Sequence, residues 1–292
     1  MTIERYSLRL VDSHVHHWNP ANLEWYPHLA PDFDVSALGV DGADGMKRRY
    51  NQSEYVQDAR SWGLDKYIHV SATSGPRKYL DETAWLAGLG APLAGAIGTV
   101  DLHLPADEAV ADLKKITTSP LLKGIRNMEI PDWQGDSFLQ VLQALQDRKL
   151  VYDLVVHPHT VNQAISALTQ FPELSVVVEH AGWPESTMEN ERQSWLDGMT
   201  RLAALGRRVT CKLSGIAMFT HSTEHLAVES WFRDVVGCFG IDRCMIGSNF
   251  PVDGVFGTFD NMFSSYLQVA NSYGDQAVKA IFAENAERVY GI

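Results

Sequence analysis

The segment LRLVDSHVHHW at 8–18 opens on a run in which apolar and polar residues alternate and closes on three histidines. Alternation at a period of two is the mark of a β-strand whose two faces differ. Short apolar runs, read as strands, follow LRLVDSH (8–14) along the chain as DKYIHV (65–70), LAGAIGTV (93–100), LLKGIRN (121–127), LVYDLVV (150–156), LSVVVEH (174–180), RVTCKLS (208–214) and RCMIGSN (243–249). Between them lie stretches with apolar residues three and four apart, the period of an amphipathic helix. ADEAVADLKKI, DSFLQVLQALQDRK, TVNQAISALTQF, ERQSWLDGMTRLAAL and EHLAVESWFRDVVGCF show it best. Asp136, Thr160 and Thr223 stand where helix N-caps are expected. Eight strands alternating with helices are what a single (β/α)₈ TIM barrel needs. An open doubly wound sheet has the same alternation and stays open, because strand order is not written in a sequence.

The 292 residues suit one barrel domain over 1–292, with the Pro-, Gly- and Asp-rich stretch at about 18–50 as a lid after the first strand. The apolar fraction of 45% is that of a globular protein with a large core. Lys and Arg number 24 against 36 Asp and Glu, a net charge of −12. Such a surface repels phosphate backbones and anionic lipid, which argues against nucleic-acid or membrane partners. It also makes a cation inside a pocket conspicuous. Cys211, Cys238 and Cys244 form neither a CxxC pair nor an even framework, and the segment MTIERYSLRL has no apolar signal-peptide core. A reducing, cytoplasmic setting is therefore expected. Self-association into a homo-oligomer is left open.

In VDSHVHHW, alternation puts Asp12, His14 and His16 on one strand face and Val11, Ser13 and Val15 on the other. Two imidazoles two residues apart at a strand's C-terminal end converge as metal ligands must. Taken alone, the pair reads equally well as two polar residues at a strand end. His180 closes VVVEH, and His157 and His159 follow LVV in HPH, each again at the C-terminal end of a strand, where barrels build their sites. Arg126 in KGIRN and Lys212 in TCKLSG end two further strands. Buried cations need partners: either a distant carboxylate such as Glu179 or Asp153, or a substrate's carboxylate or carbonyl oxygen. Asn249 ends the last strand, and Asp253 follows four residues later.

HVHHW, YPHL, KGIRN, YDLVVHPH, VVEHAGWP, CKLSG and MIGSNFPVD, in that order, together resemble the amidohydrolase-related (amidohydrolase 2) proteins, in particular the branch of sugar-lactone and muconolactone lactonases. The likeness runs from about 10 to the tail FAENAERVYG. It implies a barrel hydrolase that opens a small, hydroxylated or anionic lactone by water attack. His14, His16 and His180 would surround one divalent metal, zinc before others, present in some relatives and absent from others. Arg126 and Lys212 would hold the substrate and its oxyanion, with His159 and Trp18 lining the binding site. Many relatives carry Asp where this chain has Asn249. An amide accepts no proton at neutral pH, so the base would be His157 or Asp253, with Asn249 orienting water or substrate. A non-oxidative decarboxylase and a non-catalytic binding barrel are the alternatives.

Overall fold

In the computed structural model, residues 8–38 and 40–292 are described; the expectation drawn from the N-terminal segment falls partly on residues outside that range. The chain alternates β1 (Leu10–Val15), α1 (Gln52–Ala59), β2 (Leu64–Val70), α2 (Tyr79–Leu86), β3 (Leu93–Gly98), α3 (Ala106–Ile116), β4 (Leu122–Arg126), α4 (Asp136–Arg148) and β5 (Val151–Leu154). It continues with α5 (Val161–Leu168), β6 (Ser175–Val178), α6 (Glu189–Ala203), β7 (Val209–Leu213), α7 (Ile216–Thr220), α8 (His225–Phe239), β8 (Cys244–Ile246), α9 (Phe259–Asn271), α10 (Asp275–Lys279) and α11 (Asn285–Tyr290).

The eight strands are parallel and pair in sequence order. The seam closes beyond β8: Val15 bridges Phe250, Asn249 N–H donates to His14 O at 2.8 Å, and His16 N–H donates to Phe250 O at 2.9 Å. The architecture is a single (β/α)₈ barrel, and the open-sheet alternative falls. All eight expected strands form; β2 begins one residue earlier than expected, β1 ends one residue later, and the others are shorter by two residues or more.

Val11, Ile68, Val70, Ile97, Val151, Val177 and Met245 meet inside the barrel, and Ala283, Ala286 and Tyr290 pack beneath them. The C-terminal segment thus plugs the barrel floor. Glu287 accepts from Arg9 and Lys66, which marks that end as the one where strands begin.

Asp12 does not share the face of His14 and His16. The pairing of β1 with β2 is irregular between Asp12 and Val15, so alternation breaks there. Asp12 instead accepts from Tyr55 Oη of α1 at 2.9 Å, from Ser248 N at 2.8 Å and from His14 N at 3.1 Å. Two of the three expected caps also shift. Gly135 caps α4, with Asp136 its first residue, and Glu224 caps α8 one position after Thr223. Thr160 stands at its cap position, where its Oγ1 accepts from His157 N.

The stretch expected as a lid is closed at its base by the antiparallel Trp18–Tyr50 bridge. It is fastened to the β2–α2 connection through Ser74 N and Gly75 N, both donating to Trp25 O, and through the Lys78–Glu24 ion pair.

Asp12 gathers three donors across the barrel seam in a fully buried place. Asp12→Ala strands them, and loss of each such bond costs about 1 kcal/mol or more. Urea unfolding is expected to show a loss of about 3 kcal/mol or more, against a much smaller one for Tyr55→Phe.

Candidate active site

The irregularity in β1 turns His14 and His16 inward together, with their Nε2 atoms 3.2 Å apart. His16 Nδ1 lies 2.7 Å from Val70 O, an acceptor only, so Nδ1 carries the proton and Nε2 keeps its lone pair. Trp18 stacks on the His16 ring at 5.6 Å, and its indole N–H is taken by Met46 O and Arg48 O. That residue buttresses His16 and has no donor to spare.

His180 follows β6 with a φ of 49°, and Ala181, Gly182 and Trp183 are also in the left-handed region. Its Nδ1 meets Ser214 Oγ at 3.0 Å, and its ring lies 4.5 Å from that of His14. The turn fits because Gly215 stands opposite: a Cβ there would come within 2.5 Å of His180 Nδ1. Gly247 gives way to His14 in the same manner, at 2.8 Å from its Cβ.

Glu179, the residue before His180, ties the site together. Arg126 Nη1 donates to its Oε2 at 3.2 Å, and its Oε1 lies 3.5 Å from His14 Nδ1 and 3.7 Å from Lys212 Nζ. Lys212 Nζ also donates to Asp153 Oδ2 and stands 3.4 Å from His14 Nδ1. Arg126 Nη2 donates to Ser71 O at 2.6 Å. Both cations have therefore found the distant carboxylates Glu179 and Asp153. Two of the five guanidinium N–H groups of Arg126 are spent, whereas Lys212 is fully buried and held on three sides. Burial, reinforced by these two cations, holds His14 and His180 well below the usual imidazole range, and burial with Arg126 does the same to His16. All three are neutral at pH 7.

The remaining expected residues have side-chain partners of their own. His157 pairs with Glu185 at 2.9 Å, and the Trp183 ring lies tilted against His157 at 5.5 Å and edge-on to His180 at 4.8 Å. His159 is exposed beside the same Glu185. Asn249, at φ 54°, donates from Nδ2 to Asp253 Oδ1 at 2.9 Å. Burial pushes the Asp253 carboxyl up to about 7, against the opposing pull of Asn249 and of the backbone of Ala217 and Gly215.

Residues not anticipated include Glu82, which accepts from Ser71 Oγ and Ala72 N. Burial pushes its carboxyl up to about 7, against the pull of Ser71, Ala72 and Arg126. His28 of the YPHL motif bonds Ser74 Oγ at 2.9 Å, and burial and Arg126 lower it to about 4. Glu179 had a signal, being a charge at the end of an apolar strand. Glu82 lies on a helix with no distinguishing pattern.

The donor set suits a divalent metal. Ligand atoms of His14, Glu179 and His180 lie within 4.8 Å of one another, and all three residues are buried. If Nδ1 of His14 donates toward Glu179, two Nε2 lone pairs face each other at 3.2 Å, which a shared cation relieves. Two nitrogens on one zinc, each at about 2.0–2.1 Å with tetrahedral angles, stand about that far apart.

A parallel barrel with neutral imidazoles, a clamped carboxylate and two cations at the C-terminal rim has the make-up of a barrel hydrolase. The chain belongs to the amidohydrolase family, whose profile matches residues 11–292. An L-fucono-1,5-lactonase of Burkholderia ambifaria is 26% identical, covering 97% of this chain and 95% of that protein. An uncharacterized Sinorhizobium fredii protein, y4mH, is 25% identical over 98% of this chain and 99% of its own length. Among solved structures, a zinc-bound amidohydrolase of Burkholderia multivorans superposes with a TM-score of 0.81 at 24% identity, covering 97% of this chain and 99% of that one. No helix among the described residues is long and apolar enough to cross a membrane.

Glu82 has a folded-state pKa of about 7 against a reference value of 4.5. A raised carboxyl favours the protonated fold, so stability is full below about pH 4.5 and falls as the pH rises through 7, by up to ~3 kcal/mol. Urea titrations at pH 5 and pH 8 check this. Glu82→Gln is expected to gain on the wild type between those pH values; an unchanged difference would place the titration elsewhere.

Proposed function

We propose that the protein opens a small hydroxylated lactone by adding water across its ester bond. The observation that carries this reading is the convergence of two neutral buried imidazoles, His14 and His180, and of Arg126 on Glu179, with His16 against His14; two relatives at 26% identity, both named L-fucono-1,5-lactonase, supply the substrate class. A divalent ion held by His14, His16, His180 and Glu179 would polarise the carbonyl and acidify a bound water.

This chain's own residues carry the rest. The uncommitted N–H groups of Arg126 hold the substrate carbonyl and stabilise the tetrahedral oxyanion. Lys212, already enclosed, keeps Glu179 and His14 in place. The imidazoles are too weakly basic at pH 7 to take the water's proton, and Glu179 is engaged by Arg126, Lys212 and His14. Asp253, raised to about 7, has the proton affinity a general base needs, and Asn249 orients it. His157, tied to Glu185, sits at the rim. As the ring C–O bond breaks, the proton passes to the leaving oxygen, giving the hydroxy acid.

A pH-indicator assay across L-fucono-1,5-lactone, other sugar lactones and carboxylated lactones tests the reading. Ring opening of a hydroxylated 1,5-lactone is expected; carbon dioxide release from aromatic acids with every lactone untouched would overturn it. His14→Ala and His16→Ala should each abolish turnover. Arg126→Met should stay folded, since Glu179 keeps Lys212, and lose about 10²–10³ in kcat/KM.

Asn249→Asp would set two carboxylates 2.9 Å apart, where one must be protonated. No gain in activity is expected, with a thermal stability that rises on acidification. Asp253→Asn should lower kcat and remove the acidic limb of its pH profile. A tenfold gain for Asn249→Asp beside an indifferent Asp253→Asn would show that the proton goes elsewhere.

A further inference from the structure

We infer that Tyr290, third from the C-terminus, is a positioning residue of the active site, its hydroxyl orienting the carboxylate that holds Lys212. The inference rests on the proposed site, though not on which lactone is used.

Tyr290 rises from the barrel floor, where its ring packs with Val11, Ile68 and Val177. Its hydroxyl spans Asp153, 3.0 Å from Oδ1 and 3.2 Å from Oδ2. Asp153 in turn takes Lys212 Nζ on Oδ2, and the ammonium also lies 5.5 Å from the centre of the Tyr290 ring. From Lys212 the line continues to His14 Nδ1 at 3.4 Å and to Glu179 Oε1 at 3.7 Å. Tyr290, Asp153 and Lys212 are all buried.

Packing alone does not ask for a tyrosine here. A phenylalanine would fill the same space, but it would leave Asp153 Oδ1 facing an apolar interior without a donor. A buried carboxylate short of a donor turns toward what it has, here Lys212. The ammonium would then shift relative to His14 and Glu179. The hydroxyl fixes the plane of Asp153, and through it the depth at which the ammonium stands.

A double-variant cycle separates this role from plain stabilisation of the tail. The first set is wild type and Tyr290→Phe. The second is Asp153→Asn/Lys212→Met, in which both charges are removed together, with and without Tyr290→Phe. Val289→Ala, a half-buried apolar neighbour with no polar group, is the packing control. Two readouts are taken: kcat and KM on an opened lactone, and zinc affinity by competition with a chromophoric chelator, which needs no substrate.

Tyr290→Phe is expected to lower kcat about tenfold with KM little changed, and to weaken zinc about threefold or more as Lys212, drawn toward Asp153, shifts and releases His14 and Glu179 from their positions. In the Asp153→Asn/Lys212→Met background it should change zinc affinity by less than twofold. Val289→Ala should lower the Tm and leave kcat and zinc affinity alone. An equal zinc shift in both backgrounds, or Tyr290→Phe acting only on the Tm, overturns the inference. Should no lactone be opened by the wild type, the functional reading fails, while the zinc cycle still decides the role of Tyr290.

Discussion

The buried carboxylate of Glu179 is the constraint around which the site is arranged. A charge taken fully out of water is sustained only by close partners of opposite sign and by hydrogen bonds. Here Arg126 from β4 and Lys212 from β7 approach from different sides, and Asp153 from β5 offsets the second cation. Two cations and two carboxylates make a neutral group of four spread over adjacent strands and the turn after β6. Removing one member leaves the other three with an unbalanced charge, so the four constrain one another. The same cations reinforce burial in keeping His14 and His180 neutral, the state in which an imidazole ligates a metal.

This arrangement also accounts for the contrast between an acidic protein and a cationic interior. The chain carries a net charge of −12, so in the proposed reaction a polar or anionic substrate would be drawn in by Arg126 rather than by the long-range field. Arg126 suits the task better than Lys212 does. Its planar fork spends one arm on Glu179 and one on Ser71 O and still has donors, whereas the ammonium is enclosed by Asp153, Glu179 and His14.

The barrel was legible because its strands are short, apolar and evenly separated by amphipathic helices, a pattern that survives without any knowledge of pairing. The convergence of His14 and His16 followed from strand alternation. The same rule misplaced Asp12, since an irregular pairing between Asp12 and Val15 breaks the period and nothing in VDSH announces it. His157 and His159 satisfied the strand-end rule as well as His180 did. What separates them is the left-handed turn through Ala181 to Trp183, which carries the His180 ring inward, and the Glu185 that holds the other two at the rim. Asp153 and Glu179 could be named as partners for buried cations, but which cation took which carboxylate depends on barrel register. Tyr290 had no local signal, because its partner lies 137 residues away.

An amide at position 249 is favoured by its neighbour rather than by its backbone. Asn and Asp both tolerate the left-handed φ of 54° found there, so conformation does not choose between them. The choice falls to Asp253, whose Oδ1 lies 2.9 Å from the side-chain nitrogen of Asn249. An amide N–H satisfies that oxygen, while a second carboxylate would repel it unless the two shared a proton. With the carboxyl group at 253, the loop after β8 carries a neutral residue at 249, and among the described residues the carboxylate in the ligand cluster is Glu179, which Arg126 and Lys212 already engage. Proton affinity and metal affinity are thereby divided between two acids, Asp253 and Glu179. Burial raises the first to about 7, while the second accepts from Arg126 and lies 3.7 Å from Lys212.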